Sequence, residues 1–395
     1  MPFLERPCRD LNPDHRLRKP VFYPSYTTRA TISFNSYQLL VSYYLLSGLM
    51  VHTYLTIIVP AIVAFAIALA ATRFLMGYMS ESGVTTLDHN KKGKPTLPSG
   101  VGLAAAIGFV IGALVYVFGA SFSLYIPVAS LEYLLATLLA VMLISVVGLL
   151  DDINVKRRLT ESTGMMDTRK GLKQWYKPLL TFMGAIPLMA INAGVSTVEI
   201  PFIGFVNFGV FYPLVIIPLA VIFAANAFNL LGGFDGILTG TGTILVFGMV
   251  LYSLFFGTYT GLLLSALLLA VLIVMLAFNL YPARMVPGDS FAYFAGTGIV
   301  SAMILGNMEA FGVIISIPFI IEFLLHASRK FNVTDLGKLK RDGTMQPPYG
   351  RRIYSWCHLI MNIKRCKEWE VSLYMWLIEA AFVALALGLK ALAVL

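Results

Sequence analysis

The chain of 395 residues is 58% hydrophobic and only 12% charged, a balance that excludes a soluble globule and reads as a polytopic membrane protein. Its net charge of +9 does not point to nucleic acid, because excess Lys and Arg in a membrane protein mark the cytoplasmic loops. The three cysteines, Cys8, Cys357 and Cys366, fit neither a disulfide framework nor paired zinc spacing and read as ordinary thiols of a reducing compartment.

Residues 1–36 are polar and rich in Arg and Pro, without the short basic region and apolar core of a secretory signal. From Tyr37 to Met79 the chain is nearly all apolar, too long for one span of ~20 residues and without a loop for two. The natural start is therefore expected at Met50. Residues 1–49 read as a non-native or disordered extension, and residues 50–395 as a membrane-embedded domain. A first span is expected over Tyr54–Met76. Further apolar runs follow at Val101–Phe118, Leu131–Leu150, Pro178–Ala193, Val210–Phe228, Ile237–Phe256, Leu262–Phe278, Phe291–Leu305, Phe311–His326 and Leu373–Leu392. Together they predict an all-α bundle of about ten transmembrane helices.

Charge sets the topology. One alternate set of loops, 77–100, 151–177, 229–236, 279–290 and 327–371, carries Lys91, Lys92, Lys94, Lys156 to Lys177, Arg284 and a basic series from Arg329 to Lys367. The intervening loops 120–130, 194–209, 257–261 and 306–310 contain no Lys or Arg. By the positive-inside rule the first set is cytoplasmic.

The polar clusters fall on that same side. Asp151-Asp152 follows directly on an apolar run, where a charge facing lipid costs a few kcal/mol and two neighbouring carboxylates repel. The loop Asp88–Gly100 is basic and ends at a helix start with Ser99 as the expected cap, a place that favours phosphate. Asn226 and Asn229 share one helix face ahead of Gly232-Gly233, which permits close backbone approach to a ligand, and Asp235 opens the next helix. Pro287-Gly288 forces a turn before Asp289. Each has a plain structural reading when taken singly: a solvated helix end for the acidic pair, a cap for Asp235, Arg284 as ion-pair partner of Asp289, interfacial snorkelling for Lys177. Taken together, Asp151, Asp152, Asn229 and Asp289 are oxygen donors without His or Cys, which suits Mg²⁺ or Mn²⁺ with substrate phosphates completing the shell. The last cytoplasmic loop, 327–371, is longer than a simple connection and mixes apolar with basic residues over Ile353–Glu370, as in an amphipathic surface helix. His358 within it fits a satisfied surface histidine better than a catalyst.

The motifs Leu150-Asp151-Asp152, Asn226-Ala-Phe-Asn229-Leu-Leu-Gly-Gly-Phe-Asp235-Gly236 and Gly288-Asp289-Ser290 resemble those of the polyprenyl-phosphate N-acetylhexosamine-1-phosphate transferases. The likeness covers the chain from about residue 54. Pro282-Ala-Arg284 and Gly288–Gly296 look like the eukaryotic and archaeal dolichyl-phosphate branch. The chain departs from relatives in having Gly232 in place of an Asp, Val286 in place of an aromatic that packs on uracil, and Arg351-Arg352 in place of an Arg-His-Arg segment. The resemblance implies transfer of N-acetylhexosamine-1-phosphate, GlcNAc-1-phosphate foremost, from the UDP-sugar to a polyprenyl (dolichyl) phosphate, with release of UMP. It implies Mg²⁺ held by Asn229 and Asp289, and Lys177 on phosphate. Asp235 would meet uracil, and Asp151 or Asp152 the acceptor phosphate. Asn226, Arg284, Gly288, Arg351 and Arg352 would complete the substrate site. A homodimer is also implied, in an archaeal-type cell membrane or, in a eukaryote, the endoplasmic reticulum membrane, with the active site cytoplasmic. The rival reading is a secondary transporter of a phosphorylated solute. Transporter sites sit near the midplane, whereas the motif acids here cluster on one face, with only Glu322 and Glu379 deeper in spans.

Overall fold

The computed structural model describes residues 36–125, 128–153, 158–160, 165–167, 176–200 and 204–392, with side chains described outside 36–54, 158–160 and 165–167. The chain divides into two units, Met1–Leu49 and Met50–Leu395, and the second holds the bundle and the site described below. Lys156, Arg157, Arg169, Lys170 and Lys173 of the second basic loop lie outside the described residues.

The protein is mostly helical. In chain order come α1 (Ser36–Glu81), the hairpin β1 (Thr85–Leu87) and β2 (Thr96–Pro98), α2 (Leu103–Ser121) and α3 (Leu131–Asp152). A second hairpin, β3 (Arg158–Thr160) with β4 (Met165–Asp167), precedes the short α4 (Tyr176–Thr181) and α5 (Ile186–Ala190). A third, β5 (Thr197–Ile200) with β6 (Gly204–Asn207), leads through a π-turn at Tyr212–Ile216 into α6 (Ile217–Leu230). Then follow α7 (Ile237–Phe255), α8 (Tyr259–Asn279), α9 (Asp289–Leu305), α10 (Glu309–Ile315) and α11 (Ile317–Ala327). The strands β7 (Lys338–Leu339) and β8 (Met345–Gln346), α12 (Trp356–Ile363) and α13 (Glu368–Ala391) complete the chain. Each hairpin is a separate antiparallel pair.

Among the described residues, seven helical stretches are long and apolar enough to cross a membrane, or eight if α10 and α11, bent by 55° at their junction, are taken as one span. The protein is a multi-pass membrane protein. The expected run Pro178–Ala193 is not one helix but α4, a 3₁₀ turn at Phe182–Gly184, and α5. Pro187 in the first turn of α5 has no N–H to continue a helical ladder, and Gly184 adds a flexible point before it. The bend between α10 and α11 likewise precedes Pro318. The amphipathic segment expected over Ile353–Glu370 is shorter: α12 ends at Ile363, and Glu368 already belongs to α13.

α9 organises the bundle. Every residue from Ser290 to Leu305 is buried, although the helix carries Thr297 and Ser301. Glycines let its neighbours approach. A Cβ on Gly148 of α3 would lie 2.5 Å from Ser290 Cα, and one on Gly296 would lie 2.5 Å from the Ala224 carbonyl oxygen of α6. Without a strong hydrophobic drive between helices in lipid, such close backbone contact is what holds a membrane bundle together. This packing carries the N-terminus of α9 to the end of α3.

The first basic loop is built differently from expectation. Ser99 is not the cap of α2: the cap position is Gly102, which makes no side-chain cap bond. Ser99 is instead fully buried in a parallel bridge to Val286, flanked by a bond from Val286 N to the Pro98 carbonyl at 2.9 Å. Gly102 N reaches Pro287 O at 2.9 Å. The loop's end is thus stitched to the turn that precedes Asp289.

Candidate active site

At the end of α3 the two carboxylates divide their partners. Asp152 Oδ1 accepts the backbone N–H of Asp289 at 2.8 Å, and Oδ2 accepts that of Ser290 at 2.9 Å. It thereby satisfies two of the free donors that begin every helix. Asp151 Oδ2 lies 2.7 Å from Lys177 Nζ, and the same ammonium lies 2.8 Å from Asp289 Oδ2. Lys177 is therefore the centre of an Asp151–Lys177–Asp289 triad, and it also faces the Tyr293 ring at 5.9 Å. Burial works against its ammonium, but the charges of Asp289 and Asp151 outweigh that and hold Lys177 protonated above the ordinary lysine range.

The second element is the glycine turn between α6 and α7. Asp235 Oδ2 accepts Ala283 N at 2.7 Å and pairs with the Lys91 ammonium. Burial raises the Asp235 pKa, and the bonds from Lys91 and Ala283 act against that rise. Lys91 pairs with Asp88 as well and lies 3.8 Å from Glu368. The carboxylate oxygens of Asp88, Asp235 and Glu368 come within 4.8 Å of one another, so the lysine offsets part of the charge of a three-acid cluster. Asn279 closes the base of the turn. Its Oδ1 accepts Gly236 N at 3.1 Å and the Thr239 hydroxyl at 3.0 Å, and its Nδ2 donates to Met285 O at 3.0 Å.

These elements surround a cavity of about 300 Å³ whose lining includes Asn90, Asn229, Asp235, Val286, Gly288 and Asp289. The structure thus brings Asn229, Asp235, Gly288 and Asp289, among the residues singled out in the sequence, to one cavity, and the triad reaches it through Asp289. Asn226 is turned elsewhere: Nδ2 donates to the Thr181 hydroxyl at 3.0 Å and to Ile222 O at 2.8 Å, tying α4 to α6. Arg284 donates to Ala277 O at 2.8 Å with its guanidinium 4.5 Å from the Phe278 ring centre, and the cation beside Asp289 is Lys177. Arg351 and Arg352 are exposed in the turn after β8 and are not among the residues lining the cavity.

Several residues of the site were not singled out from sequence. Asn279 ends an apolar run and looks like any polar helix end. Asn90 and Glu368 sit in ordinary polar company. Lys91 stood among three nearby lysines, and its spacing from Asp88, three residues, was the one local signal that it would be paired.

The cavity offers anionic and amide oxygens at one end of an apolar bundle, with a fixed lysine beside them. Asn229 and Asp289 are both hard oxygen donors, and the lining carries one imidazole, His89, and no sulfur, a set that fits Mg²⁺ better than a thiophilic metal. The Asp88–Asp235–Glu368 cluster already has a cation, Lys91. Such an arrangement defines a membrane-embedded enzyme that handles a charged, phosphate-like group.

Comparison with known proteins agrees. Residues 134–307 match glycosyl transferase family 4. The chain is 32% identical, over 85% of its length and 97% of the relative, to a Saccharolobus solfataricus protein named for UDP-N-acetylglucosamine–dolichyl-phosphate N-acetylglucosaminephosphotransferase activity. It is 24% identical to the enzyme of that name from Dictyostelium discoideum, over 64% of this chain and 67% of that one. A phospho-N-acetylmuramoyl-pentapeptide-transferase of Halalkalibacterium halodurans is 28% identical over 76% of this chain and 85% of its own. The chain belongs to glycosyl transferase family 4, and it is an enzyme of the glycosyl-1-phosphate transferase type.

Proposed function

We propose that the protein transfers GlcNAc-1-phosphate from UDP-GlcNAc to a polyprenyl phosphate of the dolichyl type at the cytoplasmic face of its membrane. The observation that carries this reading is the shared cavity of Asn229, Asp235, Gly288 and Asp289 with Lys177 bound to Asp289 at its edge. An acceptor phosphate oxygen forms a bond to the β-phosphorus of the donor. The bond from that phosphorus to the bridging oxygen breaks, and UMP leaves with the electron pair.

In such a reaction positioning and charge neutralisation matter more than a strong base, since a phosphate monoester is already largely ionised near neutral pH, with a second pKa of about 6. A bound Mg²⁺ would supply charge neutralisation at the diphosphate, with Asn229 and Asp289 to hold it. Lys177 presents a fixed ammonium to the phosphates. Asp151 keeps that ammonium in place, and Asp152 orients the start of α9 on which Asp289 rides. Asp235 and Asn279 also line the cavity, where a uracil ring would meet a carboxylate and a side-chain amide. The tail of the acceptor has a matching surface: an apolar cavity of about 220 Å³ between α6, α9, α10 and α11, lined by Phe223, Phe228, Ile299, Met303 and Phe319. Similarity to archaeal and eukaryotic relatives supports the cell membrane as the site in an archaeon and the endoplasmic reticulum in a eukaryote.

The test is incubation of the purified protein with radiolabelled UDP-GlcNAc, dolichyl phosphate and Mg²⁺. Label is expected in the lipid phase with an equal amount of UMP released, and chelation by EDTA should stop both. Absence of labelled lipid and of UMP would overturn the reading.

A further inference from the structure

Three ionisable side chains lie outside the cavity and take no part in the reaction as read above. Glu322 and His326 stand one turn apart on α11, and Asp335 returns to them from the loop that follows. His326 Nε2 is 3.2 Å from Glu322 Oε1 and 2.9 Å from Asp335 Oδ1. Carboxylates only accept, so Nε2 carries the proton and is shared between the two. The side chains are 0% exposed for Glu322, 5% for His326 and 12% for Asp335, so the cluster is shielded from water and each group depends on the others. The second oxygen of Glu322 accepts Trp356 N at 2.9 Å, which fixes the start of α12.

A second imidazole holds the same loop from the other side. His358 is buried rather than on the surface. Its Nδ1 accepts Tyr354 N at 3.2 Å, which leaves Nε2 to donate to Thr334 O at 3.0 Å. Thr334 and Asp335 are neighbours, so two histidines, one on α11 and one on α12, grip one short segment that has no strand or helix of its own.

That segment touches the cavity. Leu336 is part of its lining. A Cβ on Gly233 would lie 3.2 Å from Asp335 Cβ and 3.4 Å from Leu336 N, and Gly233 has φ +99°, open only to glycine. The Gly233 carbonyl also accepts Asn90 Nδ2 at 2.5 Å. Gly233 sits between Asn229 and Asp235, so its placement sets the spacing of both across the cavity.

We infer that Glu322, His326 and Asp335 are positioning residues that seat Thr334–Leu336 against Gly233 and so shape the end of the cavity that takes the nucleoside of the donor. This rests on the nucleotide-sugar reading above. It makes the last cytoplasmic loop a determinant of donor affinity, through two buried imidazoles, without contact to the reacting phosphates.

The experiment measures steady-state kinetics and, independently, UDP binding by calorimetry on the purified full chain and its His326→Gln, Asp335→Ala, Asp335→Asn and His358→Gln variants. His326→Gln and Asp335→Ala should raise the donor KM and the UDP Kd by roughly tenfold, with kcat and acceptor KM within about twofold. Asp335→Asn keeps an acceptor for His326 and should lose less, and His358→Gln should shift the same two constants upward. Unchanged UDP affinity in all four variants with unaltered melting overturns the inference. So does a fall in kcat with donor KM unmoved, or one equivalent of metal in the wild type that is lost in His326→Gln. UDP binding to the wild type without sugar transfer would instead overturn the proposed function, and the variants' UDP Kd values would still decide the role of the cluster. Absence of UDP binding to the wild type overturns both.

Discussion

Asp152 holds Asp289 by its backbone: both carboxylate oxygens of Asp152 accept N–H groups from the first turn of α9, at 2.8 and 2.9 Å. The pair Asp151-Asp152, adjacent in sequence, therefore splits its work, with Asp151 on the Lys177 ammonium and Asp152 on the helix that carries Asp289. Asp152→Asn leaves one oxygen and turns an NH₂ toward a backbone donor. Losing one cap bond costs on the order of 1 kcal/mol and displaces Asp289 from Lys177. Turnover should fall roughly tenfold or more, with a modest loss of melting temperature. Gly288→Ala should be worse, because a Cβ there would lie 2.5 Å from both Asp152 oxygens at a φ of +83°. Kinetics and thermal melting in detergent check both, and wild-type turnover in Asp152→Asn would show the cap to be dispensable.

Asp289→Ala and Asn229→Ala remove the two oxygen donors proposed for the metal. Divalent-ion-dependent transfer is expected to drop by ~10³-fold or more in each, since charge neutralisation is most of what this chemistry asks of a protein. Membrane insertion should be unchanged, because apolar span length rather than either side chain drives it. Titration of activity against Mg²⁺ is the measurement, and near-normal turnover at any Mg²⁺ concentration would refute the assignment.

Lys91 gives a pH prediction whose sign is fixed. Burial opposes its ammonium, but hydrogen bonds to Asp235 and Asp88 and the charge of Glu368 hold its pKa above the ordinary 10.5. A folded value above the unfolded one means that the pairing stabilises the protein fully below 10.5 and is lost as pH rises through the folded value. Lys91→Met leaves three buried carboxylates facing one another and should lower the melting temperature by roughly 5 °C or more at neutral pH. The gap between wild type and variant should narrow as pH rises past that point. Parallel melting curves with a constant gap into the strongly alkaline range would contradict the pairing.

How much of this was legible in the sequence differs between spans and site. Apolar length announced α3, α7 and α8 because a helix in lipid must satisfy its backbone internally over a fixed thickness. The same criterion overran the α4–α5 region, where Pro187 interrupts the ladder without lowering the hydropathy of the run. At the site, the motif residues Asn229, Asp235, Gly288 and Asp289 were visible because polar groups at the ends of apolar runs stand out. Asn279 and Glu368 were not, because their partners, Gly236 and Asp235, come from a turn distant in sequence and leave no trace in local spacing. Arg284, the near neighbour in sequence, looked like the natural partner of Asp289. The fold instead delivers Lys177 from a helix more than a hundred residues earlier.

That lysine separates two functions that most substitutions would abolish together. Lys177 lies 2.7 Å from Asp151 and 2.8 Å from Asp289, so its charge competes with any divalent cation for the Asp289 oxygen. Lys177→Met should abolish transfer, by ~10²–10³-fold, because the phosphates lose a preorganised cation in a low-dielectric site. The variant should nevertheless bind Mg²⁺ or Mn²⁺ more tightly than the wild type, by several-fold, since two carboxylates are left facing one another and a cation relieves their repulsion. Mn²⁺ binding followed by electron paramagnetic resonance, alongside the transfer assay, reads the two effects separately. Weaker Mn²⁺ binding together with lost transfer would mean that Lys177 supports the metal site rather than competing with it, and would move its role from phosphate contact to scaffold.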